Sequence, residues 1–161
     1  MANTQAMCTS FLGEILTATH NFGTAPVRAV TTPDVFKAAL YLVSATLNAS
    51  TTVYSATGEV SGTNYSAGGV TITGSPAWNA PTATNTSITA GTAFTTPTAS
   101  ITYTTVTLAT AFDTVFIYNS TQSNKAVSVH TFGSQTITAG TFTLTMPANT
   151  TAAALLRIAT T

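Results

Sequence analysis

Hydrophobic and polar residues alternate along much of this chain, in short segments separated by turn-forming residues. From residue 52 onward, Gly, Asn, Ser and Pro recur about every ten residues. In the segment 135–147, Ile137, Phe142, Leu144 and Met146 fall on one side and threonines on the other. Threonine is β-branched and suits a strand, while its hydroxyl keeps an outer face wettable without adding charge. The pattern predicts short antiparallel strands.

The C-terminal half gives the clearest strand signals. Residues 113–119 and 125–132 flank the turn-forming sequence STQSN, which predicts a hairpin. Before this hairpin the apolar phase shifts, as a β-bulge near Thr104 and Thr105 would produce. A last strand is predicted within 152–160, after the PANTT turn.

The N-terminal segment carries a helical pattern instead. Asn3 or Thr4 is a candidate cap, and Gly23 is a stop signal. We expect a helical arm over 1–23 that packs on the core or docks on a neighbouring subunit, and whose removal (residues 1–22) leaves the β domain folded. The apolar residues at three- and four-residue spacing are Met7, Phe11, Leu12, Ile15 and Leu16.

The middle of the chain is less regular. Residues 31–47 combine a helix-start signal at Thr32–Asp34 with a long apolar run, and the turn-rich flanks favour a buried strand. Short strands are predicted near 52–56 and 68–73. Residues 75–100 contain three prolines, which argue against a central strand. They predict a long irregular surface loop with one short strand near Ser87–Thr89.

These elements predict a mainly β fold: an antiparallel β-sandwich of about seven to nine strands, jelly-roll-like, preceded by one N-terminal helix or arm. We expect the arm over 1–23 and a single domain over 24–161, with the irregular loop at about 75–100.

Composition restricts the classes of partner. A hydrophobic content of 44% and a mean hydropathy of +0.32 indicate a folded chain. Only 5% of residues are charged, with four basic and four acidic side chains, so no basic face for nucleic acid is expected. No signal peptide or membrane span is apparent, so we expect synthesis in a host cytoplasm and no membrane partner. The low charge favours a surface that is covered in an assembly.

Candidate reactive residues are few. No spacing among them matches a known catalytic or metal-binding motif. Cys8 and His20 would lie about 18 Å apart along one helix, too far for proton transfer. His130 fits a structural role in a strand. We therefore predict no catalytic, cofactor-binding or metal-binding residues. The acids, histidines and cysteine considered are Glu14, Asp34, Glu59, Asp113, His20, His130 and Cys8.

Aromatic residues near loops leave a binding role open. Trp78, Tyr54 and Tyr65 lie where sugar-binding sandwiches present exposed rings, although packing within the loops is the alternative. As contacts with a partner we predict Phe11 and Ile15 in the N-terminal segment, together with Tyr65 and Trp78.

Four segments carry a resemblance to a known group of proteins. MCTSFLGEIL, VFKAALYLVSATL, TGEVSGTNYSAGGVTIT and the region from Phe112 to Ala159 resemble a small virion protein found among the structural genes of tailed bacteriophages, including cyanophages. The resemblance covers most of the chain and is weakest over 75–100. It implies a capsid decoration or cement protein of the virion that binds the major capsid protein or other virion proteins.

The same resemblance leaves other positions in the particle open. A neck or tail component is one alternative, and a carbohydrate-binding adhesion module on the particle surface is another. The resemblance supplies no catalytic residues. Particle symmetry leads us to expect a homo-oligomer, a dimer or a trimer.

Overall fold

The computed structural model describes residues 3–16, 18–22, 32–85 and 90–160. Over these residues the structure is mainly β, with two antiparallel sheets and one short helix, which confirms the predicted mainly β class and is consistent with a β-sandwich. In chain order the elements are β1 (Ala6–Met7), α1 (Thr9–Leu16), β2 (Phe36–Leu42), β3 (Val70–Thr71), β4 (Thr82–Asn85), β5 (Gly91–Thr95), β6 (Ile101–Asn119), β7 (Lys125–Leu144) and β8 (Leu156–Thr160).

The chain divides into two compact units. The first comprises Met1–His20, Asp34–Thr71 and Thr102–Thr143, and the second comprises Asn21–Pro33, Ile72–Ile101 and Leu144–Thr161. The N-terminal segment therefore belongs with the first unit, and the predicted division after residue 23 does not coincide with these units.

The sheet of the first unit has the strand order β1-β7-β6-β2-β3. Its strand β2 pairs antiparallel with β6, from Phe36 opposite Asn119 to Tyr41 opposite Thr114. Residues 38–41 are all buried, so both faces of β2 are covered. A strand buried on both faces needs no polar alternation, which explains the continuous apolar run and confirms the strand predicted within 31–47.

The β6–β7 hairpin bends back over its own sheet. The ring centroid of Phe142 lies 5.1 Å from that of Phe112 and 6.1 Å from that of Tyr103. The Tyr103 hydroxyl donates to the Ala38 carbonyl at 2.8 Å, although Ala38 pairs with Ile117 near the far end of β6. A straight strand would hold these groups far apart, so the bend is what brings the aromatic side chains together in one core.

Two irregularities accompany this bend. Thr104 and Thr105 are both exposed between buried Tyr103 and Val106, and Thr105 has a φ of 54°, so the predicted phase shift is confirmed. On β7, Ala139 has a φ of 46° and its amide donates to Oγ1 of Thr107 at 3.0 Å. The threonines of 136–145 are exposed while Ile137, Phe142 and Leu144 between them are half-buried, as the alternation predicted.

The second unit holds a sheet of order β4-β5-β8. Strands β4 and β5 lie inside the segment predicted as an irregular loop, so that part of the prediction was wrong. Pro81 directly precedes β4, and Pro97 follows β5, so these prolines bound the strands and interrupt neither. The strand predicted at Ser87–Thr89 lies outside the described residues. The last strand, β8, is confirmed.

The N-terminal helix is shorter than predicted. Residues 6 and 7 form β1, which pairs with Ser128 and Val129 of β7, and α1 begins only at Thr9. Asn3 does not cap the helix: its amide donates to the Leu42 carbonyl at 3.1 Å, and its oxygen accepts from the Leu47 amide at 2.9 Å. The predicted stop, Gly23, lies outside the described residues. Near 52–56 the structure has only an isolated bridge, between Val53 and Lys125.

Candidate functional site

The four carboxylates of the chain provide the starting point, because acid–base or metal chemistry would rely on them first. Each of the four accepts at least two hydrogen bonds from donors of the protein itself. These carboxylates belong to Glu14, Asp34, Glu59 and Asp113.

The densest group of polar residues surrounds His20, in the first unit. His20 Nε2 lies 2.7 Å from Oε2 of Glu14, whose Oε1 accepts from Lys125 Nζ at 2.5 Å. On the other side of the ring, Asn119 Nδ2 lies 3.1 Å from His20 Nδ1 and 2.7 Å from Oδ2 of Asp34. This His20 cluster (Glu14, His20, Asp34, Asn119 and Lys125) joins α1, the residue pair before β2, and both strands of the hairpin.

The orientation of Asn119 fixes the tautomer of His20. The Asn119 side-chain oxygen accepts the backbone amides of Thr121 at 3.1 Å and Gln122 at 3.2 Å, so its nitrogen faces the histidine. Because that nitrogen is a donor only, His20 Nδ1 must be an acceptor, and the ring proton resides on Nε2. The imidazole is neutral and donates to Glu14. A second proton, on Nδ1, would face the N–H of the Asn119 side chain, and the hydrogen bond between them would be lost.

The pKa values agree with this arrangement. Burial lowers the pKa of His20 below its ordinary value, and this outweighs the opposite effect of the Glu14 hydrogen bond and charge. Burial alone would raise the pKa of Glu14, but the hydrogen bonds from Lys125 and His20 and the charge of Lys125 outweigh it and lower that pKa. At neutral pH the pair is therefore a carboxylate and a neutral imidazole.

The one cysteine does not supply this cluster with a thiolate nucleophile. The one cysteine, Cys8, is buried, and burial together with the Glu14 charge raises the pKa of its thiol to about 11. A thiol held protonated in this way is a poor nucleophile. The hydrogen bonds of the His20 cluster cross-link α1, the segment before β2 and the two strands of the hairpin.

A second polar group surrounds Glu59. Its Oε2 accepts the Tyr54 hydroxyl at 2.5 Å, and its Oε1 accepts the Tyr65 hydroxyl at 2.7 Å and the Gly68 amide at 2.8 Å. The Tyr65 hydroxyl in turn accepts the amide of Leu40, in β2, at 2.9 Å. Glu59 thus fastens the loop 54–69 to the sheet.

All five tyrosines of the chain belong to this Glu59 cluster. Two donate to Glu59, and each of the other three donates to a backbone carbonyl: Tyr41 to Ser55, Tyr103 to Ala38 and Tyr118 to Gly68.

The Glu59 cluster is also held by ring contacts. The rings of Tyr54 and Tyr118 stack with centroids 4.7 Å apart, and those of Tyr65 and Tyr103 with centroids 6.0 Å apart. Burial is the larger cause and the Glu59 charge the smaller one that together raise the pKa of Tyr118 to about 12. The pKa values of the other four tyrosines are raised as well. The phenols therefore stay protonated donors at any physiological pH.

The remaining acid and histidine have structural partners too. Asp113 accepts from Asn3 Nδ2 at 3.0 Å and from Thr114 Oγ1 at 2.8 Å, which ties the N-terminal segment to β6. His130 Nε2 lies 2.9 Å from Ser128 Oγ, and burial lowers its pKa to about 4. His130 is thus a neutral, hydrogen-bonded strand residue.

The four predicted partner contacts fall into two classes. Phe11 is only 2% exposed and Trp78 only 1%, so neither ring is available to a partner, and their prediction as surface contacts was wrong. Phe11 packs edge-on against His20 at 4.9 Å, and Trp78 against Phe22 at 4.9 Å. Ile15 and Tyr65 are half-buried, with the Tyr65 hydroxyl already bonded inside the Glu59 cluster.

Large apolar side chains that are exposed lie elsewhere. Val35 and Val53, 46% and 47% exposed, both adjoin the β6–β7 turn: the Val35 carbonyl accepts the Ser120 amide at 2.8 Å, and Val53 bridges to Lys125. The helical spacing of apolar residues predicted partner contacts in the N-terminal segment, whereas no periodic pattern in the sequence indicates that Val35 and Val53 are exposed. Elsewhere in the described part of the chain, the exposed residues of this kind are Leu12, Val43 and Ile158.

Over the described ranges, no three acidic, histidine or cysteine side chains are placed to hold a metal ion. No helix among the described residues has the length and apolar character to cross a membrane. No protein-family model matches the chain, and no curated protein or solved structure shows significant similarity to it.

Proposed function

We propose that this chain is a non-enzymatic structural protein of a virus particle, most specifically a decoration or cement protein that binds and stabilises the capsid. The observation that carries the proposal is the use of the reactive groups: all four carboxylates and all five tyrosine hydroxyls take part in internal hydrogen bonds, and most of these connect segments distant in sequence. An internally cross-linked scaffold suits a protein that must stay folded outside a cell.

The surface supports the same role. The exposed positions of β7 from residue 133 to 143 carry only Gly, Ser, Gln, Thr and Ala. Such a surface makes hydrogen bonds and small apolar contacts, and these are hardly screened by salt. Many weak contacts repeated by particle symmetry give strong attachment without any single tight site. The resemblance of four segments to a tailed-phage virion protein is what leads us to propose a phage particle.

The proposal is tested on particles encoded by the same genome. Quantitative mass spectrometry should find the chain in a fixed icosahedral ratio to the shell protein, and purified protein should rebind shells from which it was stripped. A neck or tail component would instead be found in tens of copies or fewer, on tails freed from heads. Absence from purified particles would contradict both assignments. A carbohydrate-binding role is not favoured by these aromatic residues. The Trp78 ring is buried, and the Tyr54 and Tyr65 hydroxyls already donate hydrogen bonds to Glu59.

A further inference from the structure

The side chain of Asn119, at the end of β6, is fully buried and uses all of its hydrogen-bonding capacity. Its nitrogen donates to Asp34 at 2.7 Å and to Nδ1 of His20 at 3.1 Å. Its oxygen accepts the backbone amides of Thr121 and Gln122. A side-chain amide has two protons to donate and two lone pairs with which to accept, so each of them is engaged.

His20 can take up a proton only on the side that faces Asn119. Nε2 already carries the ring proton that it donates to Glu14, so uptake must occur at Nδ1. Rotating the Asn119 amide by half a turn does not accommodate that proton. Its oxygen would then face the Asp34 carboxylate, and its nitrogen would face the two backbone N–H groups that it now accepts. His20 therefore cannot gain a charge unless the Asn119 side chain leaves its place.

Charged groups face the His20 ring from three elements. Glu14 lies on α1, Asp34 just before β2, and Lys125 at the start of β7. Burial lowers the pKa of His20 below its ordinary value of 6.5, the two carboxylates oppose this shift, and the Lys125 charge adds to it. Glu14 is already bonded to the ring at Nε2. Asp34 and Nδ1 both accept from the Asn119 nitrogen, so Asp34 is the carboxylate nearest to a new proton on Nδ1.

The β6–β7 turn, residues 120–124, relies on hydrogen bonds to keep its shape. Ser123 and Asn124 have positive φ values of 54° and 59°, and this conformation is unfavourable for a serine. Thr121, Ser123 and Asn124 are exposed, so little apolar burial holds the turn. The two amides that Asn119 accepts are therefore links on which the turn depends.

We propose that proton uptake at His20 Nδ1 exchanges its bond to Asn119 for an ion pair with Asp34, and that this exchange opens the β6–β7 turn under acidic conditions. The charged ring donates to the Asp34 carboxylate, and the Asn119 nitrogen loses both of its acceptors. A buried N–H group without an acceptor is costly, so the Asn119 side chain turns toward water. Its oxygen then releases the amides of Thr121 and Gln122, and the turn loses two of its links.

The rest of the His20 cluster stays closed when the turn opens. A positive charge on His20 strengthens its bond to Glu14, and the other oxygen of Glu14 keeps Lys125. The Ser120 amide and hydroxyl still donate to the Val35 carbonyl, each at 2.8 Å, and hold the base of the turn. The change is therefore local: α1 stays attached to β7, and the sheet stays paired.

The test uses the purified full chain alone, so its outcome is independent of particle binding. Ring nitrogen chemical shifts, measured by nuclear magnetic resonance across the acidic range, should show a proton on Nε2 of His20 at neutral pH and a single protonation at Nδ1 below pH 6.5. Protection of the Thr121 and Gln122 amides from hydrogen exchange should fall about tenfold or more with the same midpoint. The amides of Leu40 and Phe116, in the sheet, should stay protected.

Asn119→Asp is the variant that isolates the decisive nitrogen. It keeps an oxygen for the Thr121 and Gln122 amides and places an acceptor where the N–H faced Nδ1. It should raise the pKa of His20 by about one pH unit or more and make exchange at these two amides insensitive to pH over that range. His130→Gln is the matched control, because it removes the other histidine and should leave the transition at the turn unchanged.

Three results would overturn the proposal. The first is a proton on Nδ1 of His20 at neutral pH. The second is protection of the Thr121 and Gln122 amides that does not change when His20 is protonated. The third is a loss of protection that covers the whole sheet at the same midpoint, since the opening would then be global. These measurements on the unmodified chain decide the matter even if Asn119→Asp fails to fold.

Discussion

Tyr65 donates its hydroxyl proton to Glu59 at 2.7 Å and accepts the Leu40 amide at 2.9 Å. One hydroxyl thereby connects the loop 54–69 to a strand that is buried on both faces. The Leu40 side chain is fully buried, so its amide has no water to replace this acceptor.

Replacing Tyr65 by Phe should therefore cost more than replacing Tyr54 by Phe. Tyr65→Phe leaves the amide of Leu40 without its side-chain acceptor, and we expect a loss of about 2 kcal/mol or more in the free energy of unfolding. Tyr54→Phe removes one hydrogen bond to Glu59 and should cost about 1 kcal/mol. Urea denaturation measures both. Equal, negligible losses would mean that the Glu59 cluster does not hold the loop.

The lowered pKa values of the two histidines determine how the free energy of unfolding should depend on pH. His130 has a pKa of about 4 in the folded state, below the value of 6.5 expected in the unfolded chain, and the pKa of His20 is also lowered. The unfolded state therefore binds more protons between these values, and the free energy of unfolding must fall as pH falls from about 7 to 4.

The contribution of His130 over this range is roughly 2 to 3 kcal/mol, and the variant His130→Gln should lose that part of the slope. Glu14, whose pKa is lowered below 4.5, adds a further loss only below about that pH. Denaturant unfolding at pH 7, 5.5 and 4 provides the measurement. A stability that is constant over this interval would contradict the neutral, buried state of both rings.

The bulge on β6 predicts a stabilising substitution. Thr105 is β-branched and has a φ of 54°, a conformation that side chains of this shape rarely adopt. Thr105→Gly should relieve the strain and raise the unfolding free energy by about 1 kcal/mol. Thr104→Gly is the control, because Thr104 is equally exposed but has no positive φ, and it should be neutral or destabilising. If both substitutions behave alike in thermal unfolding, the bulge is not strained at Thr105.

The N-terminal segment is part of the first unit's core. Its deletion should therefore destabilise the β domain, whereas the sequence predicted that the domain would stay folded without it. Removing residues 1–22 deletes fully buried Cys8 and nearly buried Phe11 and exposes the β7 edge under β1. We expect the truncated chain to be destabilised by more than about 4 kcal/mol. Leu12→Ser changes a residue that is 44% exposed and should cost little. A deletion variant with unchanged cooperative unfolding would restore the interpretation as a separable arm.

The parts of the fold that could be predicted from sequence are those with local signals. The β6–β7 turn, the bulge at Thr105 and the threonine alternation of β7 each follow from spacing within a short segment. Strands β4 and β5 cannot be predicted in this way, because threonine-rich segments with few apolar residues resemble loops, and the neighbouring prolines argue against strands unless their place at the strand ends is known.

The clusters could not be predicted from sequence for a different reason. Glu59 meets Tyr54, Tyr65 and Gly68 across a loop, and His20 meets Asn119 only because the hairpin turn lies beside the segment before β2. Such contacts depend on tertiary packing, which leaves no periodic signal in the chain. The burial of Trp78 likewise depends on packing, which is why the sequence left packing within the loop and contact with a partner as alternatives for this ring.

The copy number of the chain in purified particles tests the central claim most directly, because a structural protein of the shell is present in proportion to the shell subunits. If the proposed role is right, quantitative mass spectrometry should give a fixed icosahedral ratio to the major capsid protein, and that ratio should persist after washing in high salt, since the proposed attachment uses uncharged contacts. A chain that is missing from the particles, or present in only a few copies, would contradict the assignment as a decoration protein.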